Sequence, residues 1–392
     1  MFLDECPVLA AGYALRKLEK PFVYNVHDDQ LYELDDEAFD FLEKCNGSNP
    51  VSKLLKDSAG ARESLEYMLT EGIIRMGNEA RDISIKTSPV PSLRYILLNI
   101  TTKCNLACRH CYLGREGAEE IGLDTFEKAV SQFEDMGGLK LMISGGEPLV
   151  HSDFFTLMEI LPSYELRVVL LSNGTLIDEK TARKLANYVD EVQVSIDGTG
   201  SHDLIRGKGS HEKAMRGISN LKKYEIPVSI ATMIHKYNSH EFEEMQQSFQ
   251  DLDVLSWSVD VPCVTGKLAE NRDFILNMKD ASLLLKYGFG AGAHESSGDY
   301  TCGSHMCAVS PDGSISKCGF FDHEPVGDVN DMRSAWAQLC KKYLWTLDKL
   351  DCKDCRLIHD CRGGCRFRAK QYKGILGPDP VLCHANGIMD FL

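Results

Sequence analysis

Three cysteines, Cys104, Cys108 and Cys111, stand close together in the stretch TTKCNLACRHCYLG. A C-x3-C-x2-C loop is short enough to give thiolates to three irons of one cubane iron–sulfur cluster, leaving the fourth iron open to an exogenous ligand. Spacing alone also admits a zinc site one ligand short. His110 would complete such a site, although its place between Cys108 and Cys111 makes simultaneous ligation awkward. Of the 15 cysteines, Cys6, Cys45, Cys263 and Cys340 are isolated. The rest form a second group: Cys302, Cys307 and Cys318, then Cys352, Cys355, Cys361 and Cys365, then Cys383. Eight thiols suffice for two fully ligated four-iron clusters, or for a pair of structural zinc sites. Single residues at strand ends have two readings each. Cys263 is a hydrogen-atom donor, an adduct carrier or a buried structural thiol. His151 and Asp260 are proton acceptors or loop-ordering hydrogen bonders.

These residues must be held by something, and the hydrophobic periodicity says what. YILLNIT (95–101), KLMISGG (140–146), RVVLLSN (167–173), EVQVSID (191–197), PVSIATMI (227–234) and VLSWSVD (254–260) read as strands. Amphipathic segments such as DTFEKAVSQFEDM and EKAMRGISNLKKY lie between them. Such alternation predicts a parallel sheet, doubly wound or curled into a partial barrel, with function at the C-terminal strand ends. The first cysteine loop follows the first strand, at that end. Residues 1–80 read as a small β-then-helical module, 81–93 as a proline-containing linker, 94–290 as the βα array and 291–392 as a cysteine-rich domain. The Gly/Ser-rich run YGFGAGAHESSGDY reads as a hinge. With little periodicity beyond it, the last segment is expected to owe its order to metal.

With 392 residues, two or three domains are expected. The net charge of −15 with scattered lysines and arginines argues against a nucleic-acid partner. No apolar run is long enough for a membrane span. Fifteen cysteines behind an acidic N-terminus predict a reducing, cytoplasmic location.

The cysteine loop after the first strand, GGEP (145–148) ending the second, LSNGT ending the third and VSIDG ending the fourth, with HDLIRG beyond, together resemble the radical S-adenosylmethionine (SAM) superfamily. The resemblance implies an α/β fold with a partial (β/α)6 TIM-type barrel. It also implies an oxygen-sensitive enzyme that reductively cleaves SAM to a 5′-deoxyadenosyl radical, which takes a hydrogen atom from substrate. Cys104, Cys108 and Cys111 would carry the catalytic cluster, with His110 a spacer. Backbone around Gly145, Gly146 and Glu147 would receive the SAM amino group. Ser172 and Asn173 would lie near the ribose, Ser195 and Arg206 at the carboxylate and Val261 at the adenine.

The second cysteine group resembles the SPASM extension. That likeness implies three [4Fe–4S] clusters in all: Cys302, Cys307, Cys318 and Cys365 on an inner auxiliary cluster, Cys352, Cys355, Cys361 and Cys383 on an outer one. The N-terminal module resembles, in pattern, the winged-helix-like PqqD element of ribosomal-peptide maturases. It implies a precursor peptide as partner, with Asp28, Asp29, Glu33, Asp35 and Asp36 suiting a basic leader. A low-potential donor such as flavodoxin or ferredoxin would supply electrons. Rival readings are a porphyrin-type decarboxylase or oxidase, a sulfatase-type maturase, and a non-catalytic metal-cluster scaffold.

Overall fold

The structure is a computed structural model that describes residues 4–55, 59–77, 79–114, 117–290, 298–301, 303–343 and 345–388. Cys302 and half of the expected hinge, residues 291–297, lie outside the described residues. The chain divides into two compact units.

The first unit gathers Met1–Arg94 with Ser131–Lys140 and Pro162–Arg167. Its strands are β1 (Pro7–Leu9), β2 (Tyr13–Lys17), β3 (Pro21–Asn25), β4 (Gln30–Glu33), β5 (Ile74–Met76) and β6 (Lys86–Thr87). They form a sheet in the order β4-β3-β2-β6 and a β1-β5 ladder. The expected hairpin is β3-β4, its turn carried by Asp29 at positive φ. Helix Asp36–Glu43 starts where it does because Asp35 accepts a hydrogen bond from the Ala38 N–H at 2.7 Å. Leu15, Val23, Phe39, Leu42, Val51 and Met68 share the core. The segment read as a linker is ordered. Thr87 pairs with Lys17, Arg81 Nη1 donates to Leu9 O at 2.8 Å, and Glu19 accepts from Ser92 N and Arg94 Nη2 at 2.7 and 2.6 Å. Polar side chains reaching distant backbone impose this order, and apolar periodicity does not register them.

In the second unit all six expected strands form: β7 (Tyr95–Thr101), β8 (Lys140–Gly145), β9 (Arg167–Ser172), β10 (Glu191–Ser195), β11 (Val228–Met233) and β12 (Ser256–Asp260). With β13 (Met306–Val309), β14 (Ser314–Ser316) and β15 (Gly327–Asp328) they make one sheet, β12-β11-β10-β9-β8-β7-β13-β14-β15. Strands β7 to β12 neighbour one another in chain order with helices between them, which is a partial βα barrel. On β10 the alternation is Val192 and Val194 buried, Gln193 and Ser195 half-buried and lining a cavity. Polar side chains are tolerated on that inner face because it borders a cavity rather than a packed core. The cysteine-rich segment enters the same sheet, β13 running parallel to β7. Beyond it come helix Met332–Tyr343 and the short helices Ile358–Cys361, Arg366–Tyr372 and Pro380–Ala385. Among the described residues no helix is long and apolar enough to cross a membrane.

Candidate active site

At the C-terminal ends of β7 to β12 lies a cavity of about 660 Å³ whose wall includes Cys104, Cys108, Cys111, Arg206, Cys263 and Phe320. That volume is within the range of small-molecule sites. The cysteine loop is pinned from several sides. Arg109 N donates to Ile205 O at 2.8 Å, Cys111 O accepts from Lys267 N at 2.9 Å, and the Arg109 guanidinium lies over the Phe274 ring. Burial pushes the Cys108 thiol up to about 11, with Arg206 acting in the opposite direction.

Gly145 and Gly146 let β8 turn against this loop. A Cβ on Gly145 would collide with the Thr101 carbonyl and one on Gly146 with the Lys103 carbonyl, and Gly145 sits at φ +141°. Gly146 N and Glu147 N donate to Thr101 O and Lys103 O at 2.8 and 2.9 Å. Glu147 is fully buried, and its carboxylate accepts from Ser172 Oγ at 2.8 Å and Asn173 N at 2.7 Å. Burial raises its pKa, and the hydrogen bonds from Asn173 and Ser172 oppose the rise. Its side chain therefore ties the ends of β8 and β9 together. Asn173 passes the link on, donating from Nδ2 to Asn105 Oδ1 at 2.9 Å inside the cysteine loop.

Gly145, Gly146, Ser172, Asn173, Ser195 and Arg206 share the cavity wall with the first three cysteines. Val261 does not line it. Its N–H donates to Asp260 Oδ1 at 2.8 Å and its carbonyl accepts from Arg368 Nη1 at 3.1 Å. His110 is more than a spacer: its side chain is part of the wall, and Nε2 stands 3.5 Å from both Asp197 Oδ2 and Arg206 Nη2. Burial pushes His110 down to about 4, so the ring is neutral. His151 orders its loop, with Nε2 3.0 Å from Ile121 O and Nδ1 accepting from Asp153 N at 3.0 Å. Asp260 is held by Arg368 Nη1 at 2.6 Å. Cys263 is buried in the cavity wall beside Cys365, and the interaction between the two thiols lowers the pKa of Cys365 and raises that of Cys263.

Cys352, Cys355, Cys361 and Cys383 line one separate pocket of about 290 Å³. Beside it Asp379 accepts from Cys365 N at 2.8 Å and Val381 N at 3.0 Å, and binds Arg368 at 3.0 Å. The described members of the inner set are placed differently. Cys365 meets Cys263, Cys318 packs against the Tyr95, Met142 and Met306 cluster, and Cys307 is buried near Lys317 and Cys340. Among the described residues no group of three or more His, Cys, Asp or Glu is arranged around a single metal ion.

Sequence reasoning missed Asn105, Asp197, Arg368 and the Cys263–Cys365 contact. Only Asp197 had left a signal: it stands inside the VSIDG motif at the end of β10.

Residues 98–249 match the family model described as the Radical SAM superfamily. The chain carries a radical SAM domain. This domain and what surrounds it are similar to an AdoMet-dependent heme synthase of Nitratidesulfovibrio vulgaris, 29% identical over 209 residues, 50% of this chain and 56% of that protein. They are also similar to the antilisterial bacteriocin subtilosin biosynthesis protein AlbA of Bacillus subtilis, 26% identical over 285 residues, 67% of this chain and 63% of that one. The chain thus spans less than two thirds of the length of either relative. In fold it resembles Streptococcus suis SuiB, solved with S-adenosylmethionine and with its precursor peptide SuiA. The TM-scores are 0.67 and 0.68 at 16% and 14% identity, over 95% of this chain and 98% of SuiB.

The radical SAM family implies one [4Fe–4S] cluster and SAM, and the cavity residues fit both. Three thiols from one pinned loop share a wall with a guanidinium. The buried His110 Nδ1 has no hydrogen-bond partner among the described residues, a polar atom for which a ligand is the natural partner.

Proposed function

We propose that this protein is a radical SAM enzyme that acts on a ribosomally made precursor peptide, removing a hydrogen atom and leaving an oxidative cross-link or a similar modification. The observation that carries it is the three-cysteine loop opening into a cavity large enough for a nucleoside ligand, with Arg206 in the same wall. Cys104, Cys108 and Cys111 would hold the cluster by three thiolates. Bound there, a reduced cluster and SAM supply one-electron cleavage to a carbon radical that abstracts hydrogen.

The protein's own part is placement. The β8 end, with the N–H groups of Gly146 and Glu147 already spent, faces a ligand amino group, itself a donor. Arg206 and Ser195 would hold the carboxylate, and Ser172 and Asn173, fixed by Glu147, would border the sugar. Tyr112 and Phe320, edge to face at 5.5 Å, give the wall an apolar stretch that keeps water from a reactive radical.

The pocket of four cysteines would hold the outer auxiliary cluster, and Cys302, Cys307, Cys318 and Cys365 the inner one. Both would accept the electron left by an oxidative step, while a low-potential donor such as flavodoxin or ferredoxin would reduce the first cluster. The N-terminal module would take the leader peptide as an added strand on the β4 edge of its sheet. The local acids contribute little to that attraction. Asp28 accepts from Asn25 Nδ2, Asp29 pairs with Lys140, Glu33 with Lys20, and Asp35 caps a helix. Main-chain pairing carries the reading instead.

A porphyrin-type substrate is the second reading, favoured by the heme synthase similarity. Anaerobic reconstitution with iron and sulfide decides the chemistry. The expected result is about 12 iron per chain and 5′-deoxyadenosine on adding SAM and a strong reductant. Stoichiometric zinc without SAM cleavage would overturn it. Photo-crosslinking of a neighbouring gene's short peptide to β4 separates the two substrate readings.

A further inference from the structure

Asp197 is fully buried just past the end of β10, and a buried carboxylate persists only when paired and hydrogen-bonded. Its partners come from every side. Oδ1 accepts from Met233 N at 2.8 Å, at the end of β11. Oδ2 accepts from Arg206 Nε at 2.5 Å and stands 3.5 Å from His110 Nε2. The residue's carbonyl accepts from Asn238 Nδ2 at 2.9 Å and lies 3.2 Å from His235 Nε2, and its N–H donates to His202 Nδ1 at 3.1 Å. Arg206 is held far less completely. Nε is committed to Asp197, Nη2 is 3.5 Å from His110, and Nη1 has no protein hydrogen bond among the described residues. Its side chain is part of the cavity wall.

We propose that Asp197 is the positioning residue of a carboxylate site in this cavity: it clamps Arg206 through Nε, so that the Nη edge of the guanidinium is aimed at a carboxylate-bearing ligand. The inference rests on the reading that SAM binds here with its carboxylate at Arg206. A guanidinium offers two donor edges, and tying one to a rigid acceptor pre-sets the other for fork-like recognition. The clamp also answers a competitor. Cys104 and Cys108 also neighbour Arg206, and as thiolate ligands of a cluster they would draw an unclamped guanidinium away from the ligand. Asp197 itself touches no ligand, since it lies behind Arg206 and outside the cavity wall.

The test compares SAM with decarboxylated SAM as probes, bound to the full-length, anaerobically reconstituted protein. The unmodified protein should favour SAM by about tenfold or more, the scale of one charge-assisted contact. Asp197→Asn is isosteric and still able to accept from Met233 N, but it offers no charge and no second acceptor to Arg206 Nε. It should lose about tenfold in SAM affinity while decarboxylated SAM binds within about twofold of before. Arg206→Ala should abolish the same preference, and the double variant should be no worse than Arg206→Ala alone. Iron content and melting temperature are read in parallel. Should Asp197→Asn not accumulate, Asp197→Glu, which keeps the charge but displaces it, is expected to hold iron and show a reduced preference. A normal preference in Asp197→Asn or Asp197→Glu, with the preference lost in Arg206→Ala, overturns the clamp. A normal preference in Arg206→Ala overturns the carboxylate assignment on which the clamp rests.

Discussion

The two cysteine sites of the second unit solve opposite problems. Cys104, Cys108 and Cys111 stand on a loop braced by strand ends, beside a cavity of about 660 Å³. Cys352, Cys355, Cys361 and Cys383 surround a pocket of about 290 Å³ built from turns and one-turn or two-turn helices. In the first, the loop is tied to its neighbours by hydrogen bonds and the three-thiol set is incomplete, which suits an exchangeable ligand. In the second, four thiols line the pocket, enough for the full ligand set of the proposed auxiliary cluster, and Gly363 and Gly364 at φ +75° and +67° supply bends that side chains would resist. A binding vacancy needs a scaffold that stands without its metal, whereas a closed site can let the metal stand in for a core.

The largest way to break this contrast is Cys104→Ala with Cys108→Ala and Cys111→Ala. SAM cleavage, followed as 5′-deoxyadenosine, should vanish while about two thirds of the iron remains. Loss of all iron would mean the sites are not independent. Replacing Cys352 and Cys383 by alanine should do the reverse, with about a third of the iron lost and residues 345–388 opened to proteolysis. Uncoupled SAM cleavage should persist. The bracing itself is probed by Gly146→Ala, whose methyl would collide with the Lys103 carbonyl. A loss of roughly 1–3 kcal/mol in denaturant melts and weaker SAM binding are expected, with the four-cysteine pocket unaffected.

The smallest effect is a pH slope. Burial pushes His202 down from 6.5 to about 4. The unfolded chain therefore takes up the proton first, and stability is lost as pH falls from 6.5 towards 4. In the metal-free protein this should cost about 1–3 kcal/mol across the window. His202→Asn should reduce the slope in chemical denaturation at pH 4 to 7, the remainder coming from His110 and His235, whose burial also lowers them.

Much of the fold could be read beforehand because each barrel strand carries its own apolar run, and β7 begins and ends where YILLNIT does. Strands β1 and β2 escaped notice because PVL and YALRK are short and lack polar alternation. The site was legible where function demands a fixed chain spacing, as in the cysteine loop and the double glycine. It was not legible where groups meet only through folding. Asp197 reaches Arg206 on the next helix, and Cys263 reaches Cys365 about a hundred residues later. No periodicity encodes where two side-chain tips converge.

Strand β13 also orders events in time. Tyr95 at the start of β7 pairs with Met306, made roughly two hundred residues later. During synthesis that edge of the barrel must wait open, as non-local pairings do, while the loop of Cys104 to Cys111 has long since emerged. The topology thus leaves β7 unpaired on that edge, with the first three thiols already made, until the C-terminal segment has left the ribosome.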